Sequence, residues 1–323
     1  MEQNKISDLT KWVKKYYPQD FTIEKASEDA SFRSYYRVIS QRDTKIIMDA
    51  PPQHEPLTSF LDVTKRLALA KINVPIIYEV DESKGYILMS DLGKSNYLDM
   101  LNKETVYCLY TDAIDVICRI QNDASSKGLE VFDMNAQIKE MDLFKDWFLE
   151  KHLEIKLSQD QSIYLKDFNE ILASRISRIP TTFIHRDFHS RNLMVTDKNN
   201  PGILDYQDAM IGPITYDLVS LLKDCYIKWD DELIYKMVKN YFQRLEQSIT
   251  YDEFEYWFDM TGLQRHLKAI GIFSRLYYRD KKSSYLKDIP RTLNYIVELC
   301  AKYPELHEFQ ILVKQIKSQG NYD

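Results

Sequence analysis

His185, Arg186 and Asp187 stand together, and Asn192 follows after four residues. An aspartate can accept or orient the proton of an attacking hydroxyl, and an asparagine oxygen is a hard ligand suited to Mg2+. The spacing H-R-D-x-x-x-x-N is the one that arranges phosphoryl transfer to a hydroxyl. Next, Leu193-Met194-Val195 reads as a short strand and Asp197-Lys198-Asn199-Asn200-Pro201-Gly202 as a turn. Ile203-Leu204 returns as a second strand and ends on Asp205. Such a hairpin sets Asn192 and Asp205 at the same end of its ladder as a pair of metal ligands. A lone H-x-D or a lone I-L-D-Y would mean little; the conjunction is specific. Asp217 is expected to hydrogen-bond the loop backbone, with Asp187 as the loop's catalytic group.

The elements that must carry this loop can be read outward from it. Residues 1–18 place Ile6, Leu9, Val13 and Tyr16 on one helical face, with Ser7-Asp8 as a cap and Pro18 as a stop. Between residues 20 and 50 the period changes to that of strands: Phe21-Thr22-Ile23, Tyr35 to Ile39, and Lys45 to Met48. A helix over 55–72 follows, then strands at Ile76–Val80 and Tyr86–Ser90. After Gly93 the period is mainly helical, over 95–126, 136–157, 161–178, 214–228, 231–248, 251–280 and 289–316. Strands grouped around a single helix, followed by helices, predict an α+β protein. The expected division is 1–92, a β-rich nucleotide-binding part with an antiparallel sheet, and 93–323, a larger helical part with the catalytic loop and acceptor site.

Composition narrows the function classes. The chain has 323 residues and a formal net charge of −6, so no global basic field favours nucleic acid. Its four cysteines are widely spaced and form no C-x-x-C pair, which argues against zinc or a disulfide framework. The N-terminus has no apolar core of a secretory signal and no apolar run spans a bilayer, so a cytoplasmic location is expected, with neither membrane nor obligate protein partner evident.

The run His185 to Met194, with Ile203 to Ala209, Gly212-Pro213 and Tyr216-Asp217-Leu218, resembles the aminoglycoside phosphotransferase family and its small-molecule kinase relatives. Two further stretches resemble the anomeric N-acetylmuramate/N-acetylglucosamine 1-kinases of cell-wall recycling. One is Asp29-Ala30-Ser31-Phe32-Arg33 through Val38 with Met48-Asp49-Ala50-Pro51-Pro52; the other is Gly262 to Lys268 with Gly271-Ile272-Phe273 and Arg275-Leu276, Tyr285-Leu286 and Pro290-Arg291-Thr292. The resemblance implies a bilobal protein-kinase-like fold, ATP as co-substrate, Mg2+, and transfer to the C1 hydroxyl of an amino sugar. It makes Asp187 the catalytic base, Asn192 and Asp205 the Mg2+ ligands, His185 and Asp217 the braces of the loop, and Ser90, Asp91 and Leu92 the linker whose backbone meets adenine. An aminoglycoside or amino-alcohol acceptor, or a nucleotide-binding scaffold without turnover, are the rival readings.

The chain departs from the kinase pattern in two places. No glycine lies between Phe21 and Ile47, and the third strand ends in Met48 where kinases carry the lysine of V-A-I-K. ATP phosphates still need cations, and Arg33 and Arg37 are the nearest, with Lys45 behind them. On the acceptor side, Arg265, Lys268, Ile272, Arg275 and Arg279 fall on one face of the 251–280 helix. Charged stripes are usually solvated. The sharper expectation is that Arg265 and Lys268 meet an anionic group of the acceptor, such as the lactyl carboxylate of N-acetylmuramate. His189 and Arg191, inside the catalytic loop, are further candidates for acceptor or phosphate contact, and Trp147 could serve as a platform for a sugar face.

Overall fold

Short strands, several buried over runs of successive residues, build the first part of the chain. A computed structural model describes residues 2–17, 20–28, 32–53, 55–245, 248–320 and 322. Pro18, Asp29, Ala30 and Ser31, singled out above, lie outside those residues. The chain forms two compact units, Met1–Asn96 with Leu193–Asp208, and Tyr97–Asn192 with Ala209–Asp323. The first thus runs a little past residue 92 and takes in the hairpin that follows Asn192.

In the first unit, helix α1 (Glu2–Val13) precedes strands β1 (Phe21–Glu28), β2 (Ser34–Ser40) and β3 (Thr44–Asp49). Helix α2 (Leu57–Leu69) separates these from β4 (Ile77–Asp81) and β5 (Tyr86–Ser90). The sheet order is β1-β2-β3-β5-β4, antiparallel throughout. Leu9, Trp12 and Val13 of α1 pack on Tyr36 and Val38 of β2, Ile47 of β3, and Tyr86 and Leu88 of β5. With side chains alternating across each strand, Arg37 and Met48 then face away from α1. Ser7 and Asp8 sit within α1 and do not cap it; burial of the Leu9 face outweighs their weak preference for helix ends. Gly85 turns between β4 and β5 at φ +72, and a Cβ there would stand 1.8 Å from Ala50 O. The later strands β7 (Leu193–Met194) and β8 (Gly202–Ile203) pair as Leu193↔Ile203 and Met194↔Gly202, the expected hairpin. Asn73 holds its turn: Ile203 N–H donates to Asn73 O at 2.7 Å, and Asn73 Nδ2 donates to Asn199 O at 3.1 Å.

The second unit is helical around a two-stranded ladder, β6 (Thr181–Ile184) with β9 (Met210–Pro213). Its helices are α3 (Tyr97–Met100), α4 (Val106–Asp123), α5 (Met134–Leu143), α6 (Gln159–Ile176), α7 (Tyr216–Leu222), α8 (Asp231–Phe242), α9 (Tyr251–Asp280), α10 (Ile289–Lys302) and α11 (His307–Gln319). Three long expected helices are broken. Asn102 Oδ1 accepts the N–H groups of Glu104 and Thr105, a turn that splits 95–126. Pro304 cannot continue α10, which splits 289–316. In 136–157, α5 passes into a π-helical stretch, Phe144–His152. The 214–228 segment is helical only over Tyr216–Leu222.

Helix α9 is the organising rod of this unit, 30 residues long and started by Thr250 Oγ1 accepting Glu253 N–H. It touches the end of α5 at Gly271, where a Cβ would lie 2.4 Å from the Leu143 carbonyl carbon. Gly262, on the same helix, would place a Cβ no nearer than 3.6 Å to its neighbours. Gly271→Ala should therefore cost about 1–3 kcal/mol by forced separation of α5 and α9. Gly262→Ala should be neutral or slightly stabilising through helix propensity. Urea unfolding of both variants checks the contrast; equal effects would mean that the α5–α9 contact is not tight.

Candidate active site

The loop of residues 185–192 joins β6 to β7, and two buried carboxylates hold it. Asp217, in the first turn of α7, accepts His185 N–H on Oδ2 at 2.7 Å and Arg186 N–H on Oδ1 at 3.0 Å. Those bonds fix Arg186 at φ 76, a left-handed backbone that a non-glycine residue takes only under constraint. Asp224 stands seven residues on, just past the end of α7. It accepts Ser190 N–H at 3.0 Å and the Ser190 hydroxyl at 2.5 Å. Between these anchors the loop folds on Asp187: His189 N–H and Asn192 Nδ2 both donate to Asp187 O, at 3.0 Å each. The second of these bonds orients the Asn192 amide, with its nitrogen turned to Asp187 O.

Arg265 and Lys268 are buried, not solvated. Arg265 Nη2 lies 3.9 Å from Asp187 Oδ1, while Arg265 Nε finds no hydrogen-bond partner among the described residues. Lys268 Nζ lies 3.2 Å from Glu140 Oε1 and donates to the Tyr216 hydroxyl at 3.3 Å. Glu140, from α5, is the hub. It receives Arg186 Nη2 at 2.5 Å and Gln264 Nε2 at 3.1 Å as well. A cavity of about 80 Å³ opens here, lined by Asp187, His189, Tyr226, Arg265, Lys268 and Phe273 among others. Arg191 lies over the Tyr226 ring at 3.8 Å and the Tyr285 ring at 5.5 Å. Further along α9, Arg279 pairs with its neighbour Asp280 at the helix end, and Trp147 is not among the residues lining the cavity.

Burial pushes the Asp187 carboxyl up, but the charges of Lys268, His189, Arg265 and Arg186 outweigh it and hold it well below the usual carboxylate range. Glu140 follows the same logic: burial raises it, Lys268 and Arg186 lower it further, and the net shift is down. Asp217 goes the other way. Burial drives it up to about 7 despite its two backbone donors.

In the first unit the expected phosphate cations have partners. Arg33 Nη2 lies 2.6 Å from Glu55 Oε2. Arg37 forks onto Asp91, with Nε to Oδ2 at 2.6 Å and Nη2 to Oδ1 at 3.2 Å, and also donates to Gly93 O at 2.9 Å. That fork ties the Asp91-Leu92-Gly93 segment to β2. Met48 is fully buried in β3, and Ser90 Oγ accepts Ile76 N–H at 2.8 Å. Lys45 pairs with Asp43 and lies over Tyr78, on the α1 side of the sheet. Asp205 adopts φ 60, and Gln207 Nε2 donates to its Oδ1 at 2.7 Å.

Sequence reasoning missed Glu140, Asp224 and Tyr226. Asp224 lies close in sequence to Asp217, whereas Glu140 had no local signal.

A β-rich unit with a five-stranded antiparallel sheet and a helical unit carrying a braced His-Arg-Asp loop define a kinase-like phosphotransferase. The chain belongs to the phosphotransferase enzyme family, whose profile matches residues 22–257. It is 36% identical over 319 residues to the N-acetylmuramate/N-acetylglucosamine kinase of Neisseria meningitidis serogroup B, covering 95% of each chain. To the enzyme of the same name from Pseudomonas putida it is 34% identical, covering 92% of this chain and 89% of the other. Among solved structures, choline kinase LicA from Streptococcus pneumoniae superposes with a TM-score of 0.64 at 12% identity, covering 94% of this chain and 100% of the other. ADP-bound aminoglycoside phosphotransferase APH(2'')-Ib gives 0.62 at 15%, covering 90% and 98%. These two likenesses concern the fold.

The Glu140 hub yields a pH prediction. Its depressed carboxyl contributes stability above the ordinary value of 4.5, which is lost as pH falls through its lower folded value. Glu140→Gln leaves Arg186 and Lys268 buried without that charge and should cost about 3–5 kcal/mol at pH 7. The difference from wild type should shrink as the medium is made acidic, because the wild type then loses the same charge. Urea unfolding at neutral and acid pH measures it; a pH-independent difference would remove the charge argument.

Proposed function

We propose that this enzyme transfers the γ-phosphate of ATP to the anomeric C1 hydroxyl of N-acetylmuramate and N-acetylglucosamine in the cytoplasm, serving the recycling of peptidoglycan. The names of the relatives support the acceptor class. The observation that carries the reading is the cavity at Asp187, where Arg265 presents a buried guanidinium whose Nε has no hydrogen-bond partner among the described residues. A neutral or anionic sugar suits such a pocket; a polycationic aminoglycoside does not.

In this reading Asp187 orients the acceptor hydroxyl and receives its proton, while His185 and Asp217 keep the loop in place. Arg265 and Lys268 meet the acceptor, Arg265 reaching the lactyl carboxylate where one is present. His189 borders the same cavity, and Arg191, clamped between Tyr226 and Tyr285, supplies a fixed cation close in sequence to Asp187. On the nucleotide side, Ser90, Asp91 and Leu92 meet adenine, Met48 backs it, and Arg33 and Arg37 offer charge to the phosphates. Mg2+ would be held by Asn192 and Asp205. An amide oxygen and a carboxylate are the hard donors it prefers, and among the described residues no cluster of three or more His, Cys, Asp or Glu competes for a metal. When bound, it would neutralise phosphate oxygens.

Two experiments test this. With ATP and a panel of sugars, phosphorus NMR should show product phosphate coupled to the anomeric proton, and Asp187→Asn should lower kcat by about 10²–10⁴-fold. Phosphate on another hydroxyl would refute C1 transfer, and full turnover in Asp187→Asn would refute the role of that residue. Separately, Arg265→Ala should raise KM for N-acetylmuramate more than for N-acetylglucosamine; an unchanged ratio would leave the lactyl contact without support.

A further inference from the structure

Asp205 is held in a left-handed backbone at φ 60, a conformation that residues other than glycine seldom adopt. Such residues persist where their surroundings over-determine them. The surroundings here belong to the same unit. Tyr206, next in the chain, is fully buried, and its ring stacks on Phe60 of α2 with centroids 5.2 Å apart at 24°. The hydroxyls of Tyr206 and Thr64 lie 2.9 Å apart, and the Thr64 hydroxyl is also 2.6 Å from Phe60 O. A carbonyl can only accept and a threonine has one proton. The Thr64 proton therefore goes to Phe60 O, and Tyr206 supplies the proton between the two hydroxyls. Gln207, also buried, ties its amide to Asp205 Oδ1 at 2.7 Å. The residue after Asp205 is thus bonded to the interior of α2, a helix far away in sequence.

A phenylalanine would fill the same space and stack on Phe60 equally well. A buried hydroxyl costs free energy unless it is paired, so its value here lies in the bond it makes. We propose that the Tyr206–Thr64 hydroxyl pair positions Asp205 for metal binding, with α2 as the fixed reference. Tyr206 is then a positioning residue, and any displacement of α2 is transmitted to Asp205. This rests on the reading of Asp205 as a metal ligand.

The test measures ADP affinity by calorimetry with and without Mn2+; the ratio of the two isolates the metal's contribution. In Tyr206→Phe and in Thr64→Val the ratio should fall about tenfold, the low end of what removing a support of a metal ligand does. Metal-free ADP affinity should stay at the wild-type value. The double variant should fall no further than either single one, because both remove the same bond. Thr64→Ser, which keeps the hydroxyl, should restore the ratio and guards against a misfolded Thr64→Val. An unchanged ratio in Tyr206→Phe, or losses that add in the double variant, overturns the tether. Asp205→Asn is the control for the underlying reading. If it keeps the wild-type ratio, then Asp205 is no ligand, and the inference falls for that reason.

Discussion

The second unit depends on the way Asp217 receives two successive backbone N–H groups, those of His185 and Arg186. Backbone donors in a buried loop must be satisfied, because each unpaired one carries a desolvation cost of about 1–3 kcal/mol. A loop of irregular backbone between two short strands cannot satisfy them through a ladder. A carboxylate has two oxygens and can take both at once. The same bonds stabilise Arg186 at positive φ, and so fix the direction in which Asp187 leaves the strand. Asp224 does the equivalent service for Ser190, at the other end of the loop.

Around that frame the charges are arranged to keep Asp187 ionised. Three cations, Arg186, Lys268 and Arg265, stand near it, and Glu140 compensates the first two directly. Burying three cations near a single carboxylate would leave uncompensated charge; the α5 carboxylate removes most of the excess. Arg265 is the member Glu140 does not reach, and its Nε finds no hydrogen-bond partner among the described residues. The unsatisfied donor and the cavity coincide, and that coincidence, more than the overall charge of the stripe, gives α9 its place in the acceptor argument.

How much of this was legible in the sequence depended on whether a signal was local. The His185-to-Asn192 spacing and the β7–β8 hairpin are short-range patterns, and both stand as expected. The period of α9 gave the face that carries Arg265 and Lys268, but periodicity cannot tell a buried stripe from a solvated one; neutralisation by Glu140 decides that. Glu140 itself was invisible, since its partners Arg186 and Gln264 are 46 and 124 residues away. The helix breaks were missed for a different reason. Apolar spacing continues through Asn102 and Pro304, whereas the backbone obeys the turn chemistry of those residues. The π-helical stretch after Leu143 leaves the hydrophobic spacing close to helical, so no pattern marks it.

The absence of a lysine at the end of β3 looks different once the sheet is considered face by face. Met48 occupies that position on the face away from α1, and Arg37 of β2 shares that face. Its fork, however, is committed to Asp91 and Gly93 O, so its first job is to hold the segment after β5 against the sheet. Arg33 is buried too, with Glu55 as its counter-charge at 2.6 Å. A buried arginine without an anion would be unstable before nucleotide arrives; with Glu55 beside it the cation is compensated in the free enzyme. A phosphate oxygen replacing Glu55 would keep that compensation, and the carboxylate would regain water on release. Arg33 can therefore exchange partners at modest cost, whereas Arg37 would have to give up both a carboxylate and a carbonyl. Within the proposed reading, Arg33 is on that balance the better suited of the two to answer the charge of the phosphates, while Arg37 also sets the geometry of the Asp91–Gly93 segment.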